Sequence, residues 1–349
     1  IKDKISEVIK LLEFDNDKPA VAVVVYGIGG AGKTTLANEV YATLNLQGWK
    51  HSKVTLIKNM ESHPNIEELQ TQILSDLTGG KHETVRDYQR GQQQLKCILE
   101  RGEVFIYIDN ILSKEHLENL LPKQINSQRK VRILATARKT DASVVFECCG
   151  VKPCELYPIE SLPVESALEL LCRKIDRERE INSIVDERPE ARKIAQKCSC
   201  CPLFLEVVGA YLHKRHNKIE AYENVLLWLR EGEAFSCYKE DRFDESRILF
   251  AYHELQPSAQ EAFLDICSFF SDWEWDEVAC IVGEEELECL HEGALLKRIL
   301  EVEEYYGCYQ RKVWRISIHD LILTAARNKS KGDRFRNAAD FSKALESEE

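Results

Sequence analysis

The residues with the clearest chemistry lie at 27–35, where an apolar run at 21–26 leads into Gly-Ile-Gly-Gly-Ala-Gly-Lys-Thr-Thr. This stretch matches the phosphate-binding template G-x-x-x-x-G-K-[ST] at every fixed position. Its glycines let the backbone turn tightly with the N–H groups pointing inward, and the helix that follows adds its positive end. We expect a phosphate-binding loop formed by Gly27, Gly29, Gly30, Ala31, Gly32, Lys33, Thr34 and Thr35.

The last three residues of this loop carry distinct chemistry. Lys33 is expected to reach the β- and γ-phosphates of a nucleotide, and Thr34 to place its hydroxyl on Mg²⁺. Thr35 is expected to steady the loop. A chance glycine-rich turn is the alternative, but the preceding strand and the complete Gly-Lys-Thr ending argue against it.

A carboxylate and an amide follow the apolar run 104–108. Because the carboxyl ends of parallel strands form the ligand-binding edge of such a sheet, Asp109 is predicted to be the Mg²⁺ partner of Thr34. Asn110 stands where nucleotide hydrolases of this type often carry a second acid. An amide can orient water but cannot accept its proton, so we expect at most a slow ATPase. A plain strand-ending turn is the alternative.

An arginine follows the next apolar run, 131–136, in the order Thr136-Ala137-Arg138. An arginine at a strand tip close to the γ-phosphate can sense whether that phosphate is present. A solvated surface arginine is the usual alternative, and the position of Arg138 after Asp109 favours the sensing role. Asp109, Asn110 and Arg138 are therefore the candidate catalytic residues.

The elements that must position these residues alternate along the chain. Alternating β and α patterns with apolar strands predict a three-layer α/β unit with a parallel sheet. The strand-like runs are 20–26, 53–58, 104–108, 131–136 and 154–159, and the helical patterns are 34–46, 65–78, 86–100, 114–121 and 141–147.

After Pro158 the pattern becomes helical and ends in a hairpin. Helices are predicted at 164–176, 187–198, 202–214 and 219–230, and a capping box at 258–261. Two β-rich runs, 299–305 and 312–318, predict a hairpin, which after helices suggests a winged helix. The predicted domains are 1–158 for nucleotide binding with a leading helix in 1–13, 159–240 as a helical bundle, 241–330 as a winged helix, and 331–349 as a polar tail.

Composition narrows the class of protein. Hydrophobic residues make up 44% of the chain and charged residues 30%, which is typical of a globular protein. A chain of 349 residues is too long for one compact core, so we expect roughly two to four domains. The net charge is −12, and 241–330 carries 19 Asp/Glu against 9 Lys/Arg, so we expect no nucleic-acid binding. No apolar run approaches the ~20 residues of a membrane span, so we expect no membrane insertion.

The cysteines suggest where in the cell the protein works, and the methionine content suggests that the sequence is part of a longer protein. Thirteen cysteines in a chain with no secretory signal predict reduced thiols and a cytoplasmic or nuclear location. Cys198 and Cys201 form one C-x-x-C, but no second pair stands at zinc spacing, so buried small side chains are expected there. The only methionine is Met60, and we expect a piece of a longer protein.

Six motifs, in the right order, resemble those of the NB-ARC module of plant intracellular immune receptors, which are signal-transduction ATPases with numerous domains. Cys201-Pro202-Leu203 resembles the start of the family's Gly-Leu-Pro-Leu helix, and Ile318-His319-Asp320 its Met-His-Asp motif. The other four are the phosphate-binding loop extended through Thr35-Leu36-Ala37, and the segments 104–109, 132–138 and 263–270.

The resemblance implies a P-loop NTPase sheet followed by a helical domain and a winged-helix domain, working as an ADP/ATP switch in defence signalling with Mg²⁺. Pro202 and Leu203 are then expected at the adenine, and His319 at the β-phosphate of ADP. A local His-Asp bond is the alternative for His319. Implied partners are the receptor's own N-terminal signalling and C-terminal repeat domains, and further copies in a ring-like homo-oligomer when ATP is bound.

Two other functions fit the same ATPase class. One is an enzyme that turns ATP over to do work, and the other is a transcription-regulator-type ATPase. The sequence also departs from the family pattern, with Cys200-Cys201 in place of Gly-Leu, Ala137 in place of Thr or Ser, and Asn110 in place of an acid. The adenine-contacting segment that precedes the first helix in the family is not found, so we expect weakened nucleotide binding.

Overall fold

The structure is a computed structural model that divides into two compact units, Ile1–Glu160 and Ser161–Glu349. It describes residues 2–12, 20–46, 53–57, 65–80, 83–101, 103–111, 113–125, 130–138, 142–176, 178, 180–213, 215, 218–231, 250–305 and 309–330.

The first unit is built on a five-stranded sheet in the order β2-β3-β4-β1-β5. All four strand pairings are parallel, as the alternating pattern predicts. The strands are β1 (Ala20–Tyr26), β2 (Lys53–Ile57), β3 (Val104–Ile111), β4 (Val131–Ala137) and β5 (Cys154–Pro158).

Helices cover both faces of this sheet. Val23 and Val25 of β1 pack into a cluster with α1 and α2, whereas Ala22 and Val24 pack into a second cluster with the remaining helices. Because neighbouring residues of one strand enter opposite cores, the sheet is the middle of three layers, and that prediction is confirmed. The helices are α1 (Lys2–Leu11), α2 (Lys33–Leu46), α3 (Ile66–Thr78), α4 (Tyr88–Arg101), α5 (Lys114–Leu120) and α6 (Ala142–Cys148).

The carboxyl ends of three strands meet at one edge. Tyr26, the last residue of β1, pairs with Ala137 of β4 and with Pro158 of β5. The next strand, β3, runs past its predicted end at 108, and its pairing with β4 shifts between Ile108 and Ile111. The loop after β1 therefore lies beside the ends of β3, β4 and β5.

The second unit is mainly helical and ends in a hairpin. The predicted hairpin is confirmed as an antiparallel pair, although 306–308 lie outside the described residues. The winged-helix assignment and the predicted boundary at 240 stay predictions. The elements are α7 (Val164–Ile175), α8 (Ile181–Glu187), α9 (Glu190–Lys197), α10 (Pro202–His213), α11 (Ile219–Glu231), α12 (Pro257–Asp265), α13 (Trp275–Val282), α14 (Glu284–Glu292), β6 (Lys297–Tyr305), β7 (Tyr309–Ser317) and α15 (Asp320–Lys329).

Two local predictions in this unit are wrong. The capping box at 258–261 does not form, because α12 begins one residue earlier with Pro257 in its first turn and Gln256 as N-cap, without a side-chain cap bond. The short helix α8 was not predicted, and the helix predicted from 187 begins only at Glu190, after Pro189. Seven residues give too few apolar positions for a clear periodicity.

The cysteines around the C-x-x-C pair are small buried side chains, as predicted, whereas Cys148 is exposed. Cys198, Cys200 and Cys201 are at most 8% exposed in the core of the second unit, and all three are free thiols. Among the described residues, no group of three or more His, Cys, Asp or Glu could hold a metal ion. Within the same ranges, no helix is both long enough and apolar enough to cross a bilayer.

Candidate functional site

The phosphate-binding loop joins β1 to α2 and depends on glycine backbone geometry. Gly27, Gly30 and Gly32 all have positive φ, at 153°, 76° and 96°. A Cβ on Gly27 would also lie 2.5 Å from the carbonyl oxygen of Ile159, whereas a Cβ on Gly32 would enter open space. Close approach thus restricts position 27, and backbone conformation restricts position 32.

Lys33 begins α2 and lies across this loop. Its side chain is buried, and its Nζ donates a hydrogen bond to the carbonyl oxygen of Ile28 at 2.9 Å. The first N–H groups of α2 have no acceptor within the helix, and they face the loop that precedes it. A loop of positive-φ glycines, a helix start and an ammonium group form an arrangement that fits the phosphates of a nucleotide.

Thr34 and Asp109 are hydrogen-bonded to each other, although they lie 75 positions apart in the chain. The hydroxyl of Thr34 donates to Oδ1 of Asp109 at 2.9 Å. Asp109 is only 8% exposed, while Thr34 is exposed at the loop. Hydroxyl and carboxylate oxygens are the ligands that Mg²⁺ prefers, so this pair fits the metal that the loop implies.

Two further hydroxyls donate to the same carboxylate oxygen. Thr136 donates to Oδ1 of Asp109 at 2.6 Å, and Tyr107 does so at 3.4 Å. Burial raises the pKa of Tyr107 far above its usual value, and the negative charge of Asp109 and the hydrogen bond to it raise this pKa further. Tyr107 therefore stays protonated and remains a donor to Asp109.

Thr136 is a site residue that the sequence reasoning did not assign. Its hydroxyl also accepts the backbone N–H of Asn110 at 2.7 Å, and Thr136 is fully buried. Asn110 has φ 59° at the irregular end of β3, a left-handed conformation that asparagine adopts more readily than most residues. The one sequence signal was the position of Thr136 two residues before Arg138.

Arg138 lies at the same edge of the sheet. It directly follows Ala137, which pairs with Tyr26, the residue before Gly27. Arg138 is half-buried and has interaction partners in the protein. The first unit therefore brings together the loop, Asp109, Asn110 and Arg138, while Thr35 lies exposed in the first turn of α2.

Pro202 and Leu203 begin α10 in the second unit. Pro202 is half-buried, and Leu203 is 5% exposed within the hydrophobic core. The loop before them contains Ser199 and Cys200, with φ of 54° and 52°. Cys200 thus takes the left-handed backbone conformation that the family's glycine adopts easily, which explains how the loop tolerates this departure at a cost in strain.

His319 caps α15. Its Nδ1 accepts the backbone N–H of Leu321 at 3.2 Å and lies 2.9 Å from Oδ1 of Asp320. An unprotonated Nδ1 accepts the N–H of Leu321, whereas a protonated Nδ1 donates to Asp320. The protonation of Nδ1 therefore decides which of the two hydrogen bonds forms. Both local bonds use Nδ1, and Nε2 is the nitrogen available to a ligand.

Comparison with protein families decides the class of the chain. The family model described as the NB-ARC domain matches residues 1–180. The chain belongs to the NB-ARC domain family. The resemblance inferred from six motifs is therefore confirmed.

Relatives of this NB-ARC chain include much longer plant proteins. Disease resistance protein RUN1 of Vitis rotundifolia is 28% identical over 265 residues, covering 74% of this chain and 18% of its own length. Disease resistance protein RPP2B of Arabidopsis thaliana is 24% identical over 342 residues, covering 97% of this chain and 26% of its own. The chain thus spans about a fifth to a quarter of these relatives.

A solved structure supports the fold. The Signal Transduction ATPase with Numerous Domains (STAND) protein from Pyrococcus horikoshii, which carries a tetratricopeptide repeat sensor, matches with a TM-score of 0.54. The match covers 95% of this chain and 43% of that chain at 15% identity. At this identity the likeness concerns the fold alone, and it agrees with the predicted P-loop NTPase class.

Proposed function

We propose that this chain is the nucleotide-operated switch of a plant disease-resistance receptor, off with ADP and on with ATP. The observation that carries the proposal is the hydrogen bond from Thr34 to Asp109, which joins the phosphate-binding loop to the end of β3. Membership of the NB-ARC family and the names of the plant relatives supply the biological setting.

The residues of the first unit have separate roles in this proposal. The loop N–H groups and Lys33 bind the phosphates, and Thr34 and Asp109 hold Mg²⁺, which would offset phosphate charge when bound. Arg138 reads the γ-phosphate. The Nζ of Lys33 already donates to the carbonyl of Ile28, and an ammonium group has three N–H donors, so the same group can also donate to a phosphate.

The second unit supplies the difference between ADP and ATP. Pro202 and Leu203 pack against adenine, and Nε2 of His319 bonds the β-phosphate of ADP in the off state. A ligand shifts a conformational equilibrium only if it binds one state more tightly, so the γ-phosphate must disfavour the state in which His319 is engaged. The on state then forms ring-like homo-oligomers together with the receptor's signalling and repeat domains.

The experiment that tests nucleotide binding is chromatography of what the purified protein releases on denaturation. ADP is expected from the wild type and none from Lys33→Ala, because the ammonium that pairs with phosphate is lost. Lys96→Ala is the matched control, since Lys96 lies on α4, outside the phosphate-binding loop, and pairs with Glu100 at 3.9 Å. A wild type that neither carries nor binds any adenosine phosphate would sink the proposal.

A further inference from the structure

The hydroxyl of Thr136 contacts two consecutive residues near the carboxyl end of β3, Asp109 and Asn110. It donates to Oδ1 of Asp109 at 2.6 Å and accepts the N–H of Asn110 at 2.7 Å. Thr136 belongs to the neighbouring strand, β4, and has no exposed surface. A single hydroxyl therefore ties the strand that leads to Arg138 to both residues near the end of β3.

A hydroxyl group is well suited to this position. It has one proton to donate and two lone pairs to accept with, so it can serve a carboxylate and an N–H at the same time. A valine of similar shape could do neither. Its methyl group would leave the N–H of Asn110 without this acceptor, and Asp109 would lose the shortest of its three described hydroxyl donors.

We propose that Thr136 is a positioning residue for the Mg²⁺-dependent part of nucleotide binding. It fixes the orientation of the Asp109 carboxylate and the left-handed backbone conformation of Asn110 near the end of β3. This inference rests on the proposed nucleotide switch. Groups that orient a metal ligand through hydrogen bonds commonly change metal affinity by 10–100-fold when they are removed.

Thr55 provides a control for the purely structural effect of losing a buried threonine. It lies in β2, is 1% exposed, and its hydroxyl donates to Oδ2 of Asp76 at 2.8 Å. Thr55→Val therefore removes a comparable buried hydrogen bond from the same sheet, but from a strand that carries no predicted site residue. Both valine variants are expected to lose stability through an unsatisfied polar partner.

The experiment measures the affinity of each protein for a non-hydrolysable ATP analogue, by titration calorimetry in MgCl₂ and again in EDTA. The ratio of the two dissociation constants is the gain from Mg²⁺. Thr136→Val is expected to lower this gain by about tenfold or more, whereas Thr136→Ser and Thr55→Val retain it. Thermal unfolding of all variants shows whether the two valine proteins are destabilised alike.

The outcomes separate this inference from the function on which it rests. A wild type that fails to bind the analogue defeats the proposed function. A wild type that binds it with no gain from Mg²⁺, or Thr136→Val with an undiminished gain, overturns the role of Thr136 alone. If Thr136→Val does not fold, Thr136→Cys replaces it, because a thiol is a weak donor and acceptor. The gain from Mg²⁺ in Thr136→Cys should then be smaller than in the wild type and in Thr136→Ser, but not zero. A gain equal to that of the wild type contradicts the proposal.

Discussion

At the scale of single residues, the site is a cluster of hydrogen bonds around Asp109. Its Oδ1 accepts from Thr34, Thr136 and Tyr107, and each donor comes from a different part of the first unit. The carboxylate is held in one orientation before any ligand arrives. The backbone N–H of Asn110 beside it donates to Thr136 at 2.7 Å, which holds this part of the chain in place.

We expect Asn110→Asp to raise the rate of ATP hydrolysis. Aspartate also tolerates the left-handed conformation at φ 59°, and its carboxylate can accept the proton of an attacking water, which the amide cannot. General base catalysis contributes on the order of 10²-fold or more, so the steady-state release of phosphate should rise by about that factor. The wild type should stay below the ~1 s⁻¹ at which ordinary enzymes begin.

The control for this substitution is Asn110→Ala. Alanine provides neither an acid nor a side chain suited to positive φ, so it should lose stability without gaining hydrolysis. Equal rates in the wild type and Asn110→Asp would show that the missing acid does not limit turnover. A wild type that already hydrolyses ATP at tens of turnovers per second would favour the enzyme over the switch.

The sequence predicted the site residues that belong to a motif or follow a strand, but not the residues inside the strands. The pairing of Thr34 with Asp109 followed from a motif and a strand end. The role of Thr136 did not, because a threonine in an apolar strand is common and its partners become visible only with the register of β3 and β4. The complete burial of Arg132 was likewise not predictable, since a charged residue in a strand is usually exposed.

At the scale of elements, periodicity located the strands and helices of the first unit to within a few residues. It did not give the strand order, which depends on how the crossovers pack, or the extension of β3 to Ile111. It also could not show how α3, α4 and α5 are joined. The amides of Gln70 and Gln92 donate to backbone carbonyls at the end of α5, including that of Asn119.

This junction reverses the usual effect of replacing a helical glycine. Gly91 lies in α4, where alanine would ordinarily add about 1 kcal/mol of stability. A Cβ at Gly91 would instead clash with Oε1 of Gln70, a side chain held by hydrogen bonds to the carbonyls of Tyr88, Asn119 and Leu120. We expect Gly91→Ala to lower the free energy of unfolding by roughly 1–3 kcal/mol in urea denaturation.

A double-mutant cycle provides the control for Gly91→Ala. In a Gln70→Ala background the clash with Oε1 is absent, while the contact of the new Cβ with Val85 at 3.0 Å remains. The cost of Gly91→Ala should therefore fall by more than half. An unchanged cost would locate the strain elsewhere, and a stabilising Gly91→Ala would mean that Gln70 gives way freely.

In the whole molecule, the predicted nucleotide-binding residues are divided between the two compact units. The phosphate-binding loop, Asp109 and Arg138 belong to the first compact unit, and Pro202, Leu203 and His319 belong to the second. The switch proposed above uses residues of both units, and it therefore predicts a conformational change of the whole chain when the nucleotide changes. The single-residue roles therefore imply a change that can be measured on the entire chain.

The proposed switch predicts a larger radius of gyration in small-angle X-ray scattering with the non-hydrolysable ATP analogue than with ADP, because in it the γ-phosphate disfavours the ADP-bound state. If His319 binds ADP as proposed, His319→Ala should scatter like the ATP form even with ADP bound, because the proposed bond from Nε2 to the β-phosphate cannot form. Lys33→Ala, which binds neither nucleotide, should respond to neither. Identical scattering profiles with ADP and with the analogue, at concentrations where calorimetry shows that both are bound, would mean that the protein binds nucleotides without acting as a switch.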